Sequence, residues 1–212
     1  MIGVVDFGAG NTRSVLRALA AVGADARLVA TPEGLGASDR LVLPGVGAAP
    51  SAVDALTARG LWEPLRRWGT DGRPLLGVCL GAQLLLSGSD EGDAPGLGLI
   101  EGRCLAFPTP ADGGPQLVPH IGWNAVATRA GATFDAYFVH GYWTDASEAA
   151  VRGWTTVDGF CFPSVVRVGS VSGVQFHPEK SGPTGRALLA AFAQGRLDAA
   201  PGVAPEAVRA WS

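Results

Sequence analysis

The sequence is short of several things, and each shortage excludes something. It has one methionine, two tyrosines, three cysteines and, among sixteen basic residues, a single lysine, Lys180. The cysteines, Cys79, Cys104 and Cys161, are odd in number and far apart. That argues against a disulfide framework and for a reducing, cytoplasmic setting. No apolar run reaches the ~18 residues that a membrane span requires. The opening residues, MIGVVDFGAG, have neither the basic start nor the long apolar centre of a secretory leader and read as a first strand. An excess of positive charge is missing too: the formal net charge is -3, which argues against a general nucleic-acid binder. Disorder is excluded by 47% hydrophobic against 17% charged residues, and 212 residues are enough to bury one well-packed core. Glycine is abundant, with 31 residues dispersed without a collagen period, so many tight turns and close backbone approaches are expected. A lysine that stands alone against a bias toward Arg is a candidate for a specific role, with chance as the alternative, since a single surface lysine carries little energy.

Apolar runs at 2–6, 26–30, 40–43 and 74–78 alternate with helical spacings over 12–22, 51–58, 61–68 and 80–86. This alternation predicts an α/β fold with an open, mostly parallel sheet and helices on both faces. Beyond Gly92 the character changes to short β-rich runs at 97–100, 102–107, 118–123, 137–142, 152–157 and 164–168. These predict an antiparallel β segment added to or extending the parallel core. A strand at 171–176 and a helix at 185–193 close the domain. One domain over 1–196 is expected, followed by a tail, 197–212, with a short helix at 205–211 or a frayed end.

The sharpest local pattern is Pro74-Leu75-Leu76-Gly77-Val78-Cys79-Leu80-Gly81-Ala82-Gln83. A cysteine between an apolar strand and an apolar helix, with Gly two residues away on each side, matches the elbow that presents a nucleophile. The turn strains the backbone, and glycines let neighbouring chains approach. The helix N-terminus favours thiolate, and the Leu80 N–H would face a developing oxyanion. A buried structural cysteine fits the same string, and Cys104 and Cys161, which lack the Gly-flanked turn, are read as core residues.

A thiolate nucleophile needs a base, and the histidines are His120, His140 and His177. His177 follows a strand and is two residues before Glu179, which is close enough to fix the tautomer of the ring. A loop-capping histidine is the structural alternative. A third string, Leu41-Val42-Leu43-Pro44-Gly45-Val46-Gly47, runs from a strand into a Gly-rich turn whose N–H groups would complete an oxyanion hole. It lacks the Gly-Lys-Ser/Thr ending of a phosphate cradle.

Taken together, Pro44 to Gly47, Gly77 to Gln83 and His177-Pro178-Glu179 resemble the class I (triad) glutamine amidotransferases. Asp6-Phe7-Gly8-Ala9-Gly10-Asn11, Pro119-His120-Ile121-Gly122-Trp123-Asn124 and Tyr137 to Tyr142 are similar to one branch of them, the glutaminase subunits of imidazole glycerol phosphate synthases. The resemblance implies glutamine hydrolysis without cofactor or metal. It also implies passage of ammonia through a channel into a (β/α)8-barrel cyclase partner, which makes imidazole glycerol phosphate and AICAR in histidine biosynthesis. It assigns Cys79 as nucleophile, His177 as proton carrier and Glu179 as its orienter. Val46, Gly47 and Leu80 become the backbone oxyanion hole. Gln83, Glu91, His140, Gly141 and Tyr142 border the glutamine pocket, and Asn11, Trp123 and Lys180 face the cyclase. The Pro44–Gly47 turn is expected to be mispointed until the partner binds its substrate. Departures from the branch are Phe7 for Tyr, Ala82 for Met and Gly141 for Ser, the last removing a hydroxyl beside the pocket. Three other readings stay open: a paralogue feeding a different synthase, a non-catalytic subunit bracing a partner, and a γ-glutamyl hydrolase or related cysteine peptidase.

Overall fold

Strands Ile2–Val5 (β1) and Leu75–Cys79 (β4) are buried at every position, which requires a sheet covered on both faces. The computed structural model describes residues 1–8, 10–108 and 118–197. The helix expected at 205–211 lies outside them. After β1 come α1 (Thr12–Ala21), β2 (Ala26–Val29), α2 (Pro32–Gly36), β3 (Arg40–Gly45), α3 (Ala49–Ala58), α4 (Trp62–Thr70), β4 and α5 (Leu80–Leu84). Then follow β5 (Gly88–Ser89), β6 (Gly102–Ala106), β7 (His120–Thr128), β8 (Thr133–His140), β9 (Tyr142–Ala146), β10 (Val151–Val157), β11 (Phe160–Val168), β12 (Val171–Val174) and α6 (Gly182–Ala193).

The main sheet runs β2-β1-β3-β4-β12-β11-β10-β7-β8. Its pairs are parallel from β2 to β12 and antiparallel from β12 to β8. The antiparallel segment thus extends the parallel core, and a smaller sheet, β5-β6-β9, stands apart. Side chains alternate across the parallel half as strand geometry demands. Val4, Val42, Leu76 and Val78 pack with Val15, Leu19, Leu188 and Phe192 of α1 and α6. Val5, Leu41, Leu43 and Leu75 pack on the other side with Ala52, Leu56, Leu65 and Leu84 of α3, α4 and α5. Each fully buried Leu, Val or Phe contributes about 1.5–3 kcal/mol, so both layers are needed to hold the sheet.

Three expectations are corrected. Residues 97–100 form no strand. Their N–H groups turn instead onto Leu84, Leu85 and Leu86, with Leu97 N to Leu84 O at 2.8 Å, and so satisfy the carbonyls at the end of α5. The run at 137–142 is two strands, β8 and β9, divided at Gly141. Cys161 is exposed, not core, whereas Cys104 is buried. Burial pushes the Cys104 thiol up to about 12 and keeps it protonated and inert.

Candidate active site

Cys79 closes β4 and precedes α5 with φ 54° and ψ -111°, a backbone conformation that costs a non-glycine residue about 1–3 kcal/mol. The flanking glycines make that turn possible. A Cβ on Gly77 would lie 2.6 Å from the Gly81 carbonyl oxygen, and one on Gly81 would overlap the carbonyl oxygen of Leu43. Both contacts arise because α5 starts directly over the strands it follows. The strain therefore has a structural source and leaves one side chain, Cys79, at the sheet's C-terminal edge.

Strand register then gathers the rest. Gly45 of β3 pairs with Cys79, so Val46 and Gly47 emerge beside the sulfur. Gly47 has φ 97° and, among the described residues, nothing within 4 Å of a Cβ position, a turn that a side chain would strain without clashing against them. On the other side, Val174 of β12 pairs with Val78, which brings Gln175 and His177 to the same edge. Crevices at the carboxyl ends of such strands are where open α/β sheets bind ligands.

The edge encloses a cavity of ≈ 260 Å³ lined by Val46, Gly47, Cys79, Leu80, Gln83, Glu91, Val139, His140, Gly141 and Tyr142. Every residue assigned from sequence to oxyanion hole or substrate pocket is in that wall. Val139 is the addition; its carbonyl accepts the Cys79 thiol at 3.7 Å.

His177 is 1% exposed, and its Nδ1 lies 2.6 Å from Glu179 Oε1. Its Nε2 is buried and has no hydrogen-bond partner among the described residues. Burial alone would push the imidazole down, but the ionised Cys79 sulfur and the Glu179 carboxylate beside it outweigh that and hold it up at about 9. Nδ1 is thus committed to Glu179, and Nε2 remains for the sulfur. The loop carrying the pair is clamped by Ser181, whose hydroxyl donates to His177 O at 2.7 Å and accepts from Tyr137 N at 3.0 Å.

Glu91 Oε2 accepts from Ala49 N at 2.8 Å, at the start of α3. Gln83 donates to Tyr142 O at 3.0 Å and to Gln175 Oε1 at 3.3 Å. The amide expected to meet substrate therefore also ties α5 to β9. His140 Nδ1 donates to the same Tyr142 carbonyl at 2.7 Å, and burial holds this ring at about 3, hence neutral.

Of the residues expected at a partner face, Trp123 is 59% exposed, and so not a core residue. It packs edge-on against Tyr137, over which Lys180 also lies, its Nζ 5.5 Å from the ring. Asn11 is half-buried, and its Nδ2 donates to Glu179 Oε1 at 2.9 Å. Sequence reasoning gave no site role to Val139, Tyr137, Gln175 or Ser181. A polar Gln175 at the end of an apolar strand was the available signal for one of them.

The fold and this edge define an α/β protein with a strained cysteine and a glycine turn lining one cavity and a buried His–Glu pair at the same sheet edge. Residues 3–194 match the family described as glutamine amidotransferase class-I, and the chain belongs to that family. It is 47% identical over 201 residues to the imidazole glycerol phosphate synthase subunit HisH of Streptococcus sanguinis (strain SK36), across 91% of this chain and 95% of that protein. It is 44% identical over 196 residues to the HisH subunit of Symbiobacterium thermophilum, across 88% of this chain and 90% of that protein. Among solved structures, one described as a crystal structure of glutamine amidotransferase superposes with TM-score 0.72 at 23% identity, covering 91% of this chain and 98% of that one. A chain of PurLQS from Thermotoga maritima superposes with TM-score 0.63 at 20% identity, covering 84% and 87%. These two likenesses establish the fold.

Proposed function

We propose that this chain hydrolyses glutamine to glutamate and ammonia and hands the ammonia to a cyclase partner of imidazole glycerol phosphate synthase. The observation that carries the reading is the ≈ 260 Å³ cavity that brings Cys79, the Val46–Gly47 turn, Gln83 and Glu91 together. The substrate's α-ammonium group suits Glu91, which has one carboxylate oxygen committed to Ala49 N.

With its proton already on His177 Nε2, the Cys79 sulfur attacks the side-chain amide carbon as a thiolate. The oxyanion is met by the N–H groups of Gly47 and Leu80. Collapse expels ammonia with the proton from His177 and leaves a γ-glutamyl thioester. Water then attacks, His177 takes its proton, and collapse expels the Cys79 thiolate and releases glutamate. Glu179 holds the ring and balances its charge throughout. Free ammonia protonates near neutral pH and stops being a nucleophile, so an enclosed path to the partner has a chemical purpose. Val46 is 40% exposed, which leaves its turn free to be re-aimed when the partner binds.

The partner is a (β/α)8-barrel cyclase that turns the ammonia and a ribonucleotide into imidazole glycerol phosphate and AICAR. Exposed Trp123 and Ile121 supply apolar area for docking, and Lys180 supplies charge. The experiment is glutamate release by the purified chain, alone and with the cyclase and its nucleotide. A low rate alone and a large rise with both is expected. No release under either condition overturns the proposal, and a full rate for the isolated chain overturns gating by the partner.

A further inference from the structure

Gln175 enters no step above, yet it is 1% exposed and follows β12 directly, with its side chain against Cys79. Its neighbours decide which way its amide points. The Tyr142 carbonyl can only accept, so the end of the Gln83 amide 3.0 Å from it is the nitrogen. That same nitrogen lies 3.3 Å from Gln175, so the Gln175 atom facing it is oxygen. The other end, Nε2, then faces the Cys79 sulfur at 3.9 Å.

The anchor of this order is itself held. His140 Nδ1 donates to Tyr142 O at 2.7 Å, His120 Nδ1 to His140 Nε2 at 3.0 Å, and Asn124 Nδ2 to His120 Nε2 at 3.3 Å. Burial lowers both imidazoles and keeps them neutral. Each ring then has one donor and one acceptor nitrogen, and the chain of bonds runs in a single sense.

A further partner of the sulfur, besides His177, is an acceptor. Its thiol donates to Val139 O at 3.7 Å, a bond that ionisation removes, leaving an anion beside a carbonyl oxygen. We propose that Gln175 donates Nε2–H to the Cys79 sulfur and holds it in its nucleophilic form, its amide oriented by Gln83 and by the His140–His120–Asn124 chain behind it. A thiolate accepts a hydrogen bond more strongly than a thiol, so this donor favours the ionised sulfur and tightens on it as charge develops. The proposal rests on the reading of Cys79 as the nucleophile.

The test is alkylation of Cys79 by iodoacetamide as a function of pH, followed by peptide mass. The full chain carries Cys161→Ser to remove the exposed competing thiol. Gln175→Met keeps side-chain length and removes both polar ends; Gln175→Glu sets a carboxylate against the sulfur. Near pH 7 the Met variant is expected to alkylate about tenfold more slowly, with the profile's midpoint raised by about one pH unit, and the Glu variant more slowly still. An unchanged profile in Gln175→Met overturns the role of Gln175 while leaving Cys79 as nucleophile. Slow alkylation in the parent chain, no faster than an ordinary thiol, overturns the nucleophile reading and takes this proposal with it. Should the variants not fold, the unmodified chain gives the answer by NMR. A glutamine side-chain NH2 signal that moves as Cys79 titrates, and is stationary in Cys79→Ala, supports the proposal; its absence overturns it.

Discussion

Asn11 donates to Glu179 across 168 residues of chain, and the oxygen it reaches at 2.9 Å is the one that lies 2.6 Å from His177 Nδ1. The Glu179 side chain is fully buried, so this bond connects the half-buried start of α1 to the carboxylate behind the imidazole. Asn11→Ala leaves that carboxylate with one donor fewer, at a cost of about 1–3 kcal/mol. The expected outcome is a lower thermal midpoint together with a kcat for glutamate release that falls more than KM rises. Wild-type values for both would show that the bond is incidental.

The pH dependence has a definite sign. His177 is raised from 6.5 to about 9, so its contribution to stability is complete below the unfolded value and is lost as pH rises through the folded one. His140, lowered by burial from 6.5 to about 3, contributes fully above 6.5 and loses its contribution as pH falls toward 3. Urea unfolding between these limits should give a stability maximum near neutrality. Glutamate release should decline above about pH 9 as the imidazolium is lost, while alkylation of Cys79 continues. Alkylation that declines in parallel contradicts the assignment.

Gly141 lines the cavity, and among the described residues a Cβ there would touch only Val118 Cγ1, at an ordinary 3.5 Å. Gly141→Ser should therefore fold with stability changed by less than about 0.5 kcal/mol. Its hydroxyl adds a donor to the pocket, a contribution of about 1 kcal/mol, so KM for glutamine should fall roughly fivefold in steady-state assays. An unchanged or higher KM rejects a substrate contact at this position.

Trp123 and Ile121 are 59% and 58% exposed on β7, an arrangement with little value to the isolated chain. Trp123→Ala should leave unfolding within about 0.5 kcal/mol of the parent and weaken cyclase binding by about 2 kcal/mol or more, measured by titration calorimetry. Equal affinity would place the docking face elsewhere.

Much of the site was legible because its chemistry is tied to local backbone demands. Gly77 and Gly81 mark Cys79 for the same reason that they are glycine: a Cβ at Gly77 meets the backbone of α5, and one at Gly81 meets the backbone of β3. His177 and Glu179 lie two residues apart, so their pairing is nearly local. What sequence did not disclose depends on contacts between distant strands. Val139 meets Cys79 and Gln175 meets Gln83 through sheet order, which no spacing encodes. Leu97 to Ile100 has the composition of a strand, yet its N–H groups are needed by the carbonyls of Leu84 to Leu86. Cys161 looked like core because cysteine usually is, but its place on a strand of the antiparallel extension leaves it facing outward.

The central claim is that Cys79, assisted by His177, attacks the side-chain carbonyl of glutamine. Diazo-oxo-norleucine, a glutamine analogue that alkylates such a nucleophile, tests it directly by peptide mass. The account predicts one adduct, on Cys79, formed far more slowly in His177→Ala and prevented by excess glutamine. Failure to label Cys79, or labelling confined to exposed Cys161, would contradict it.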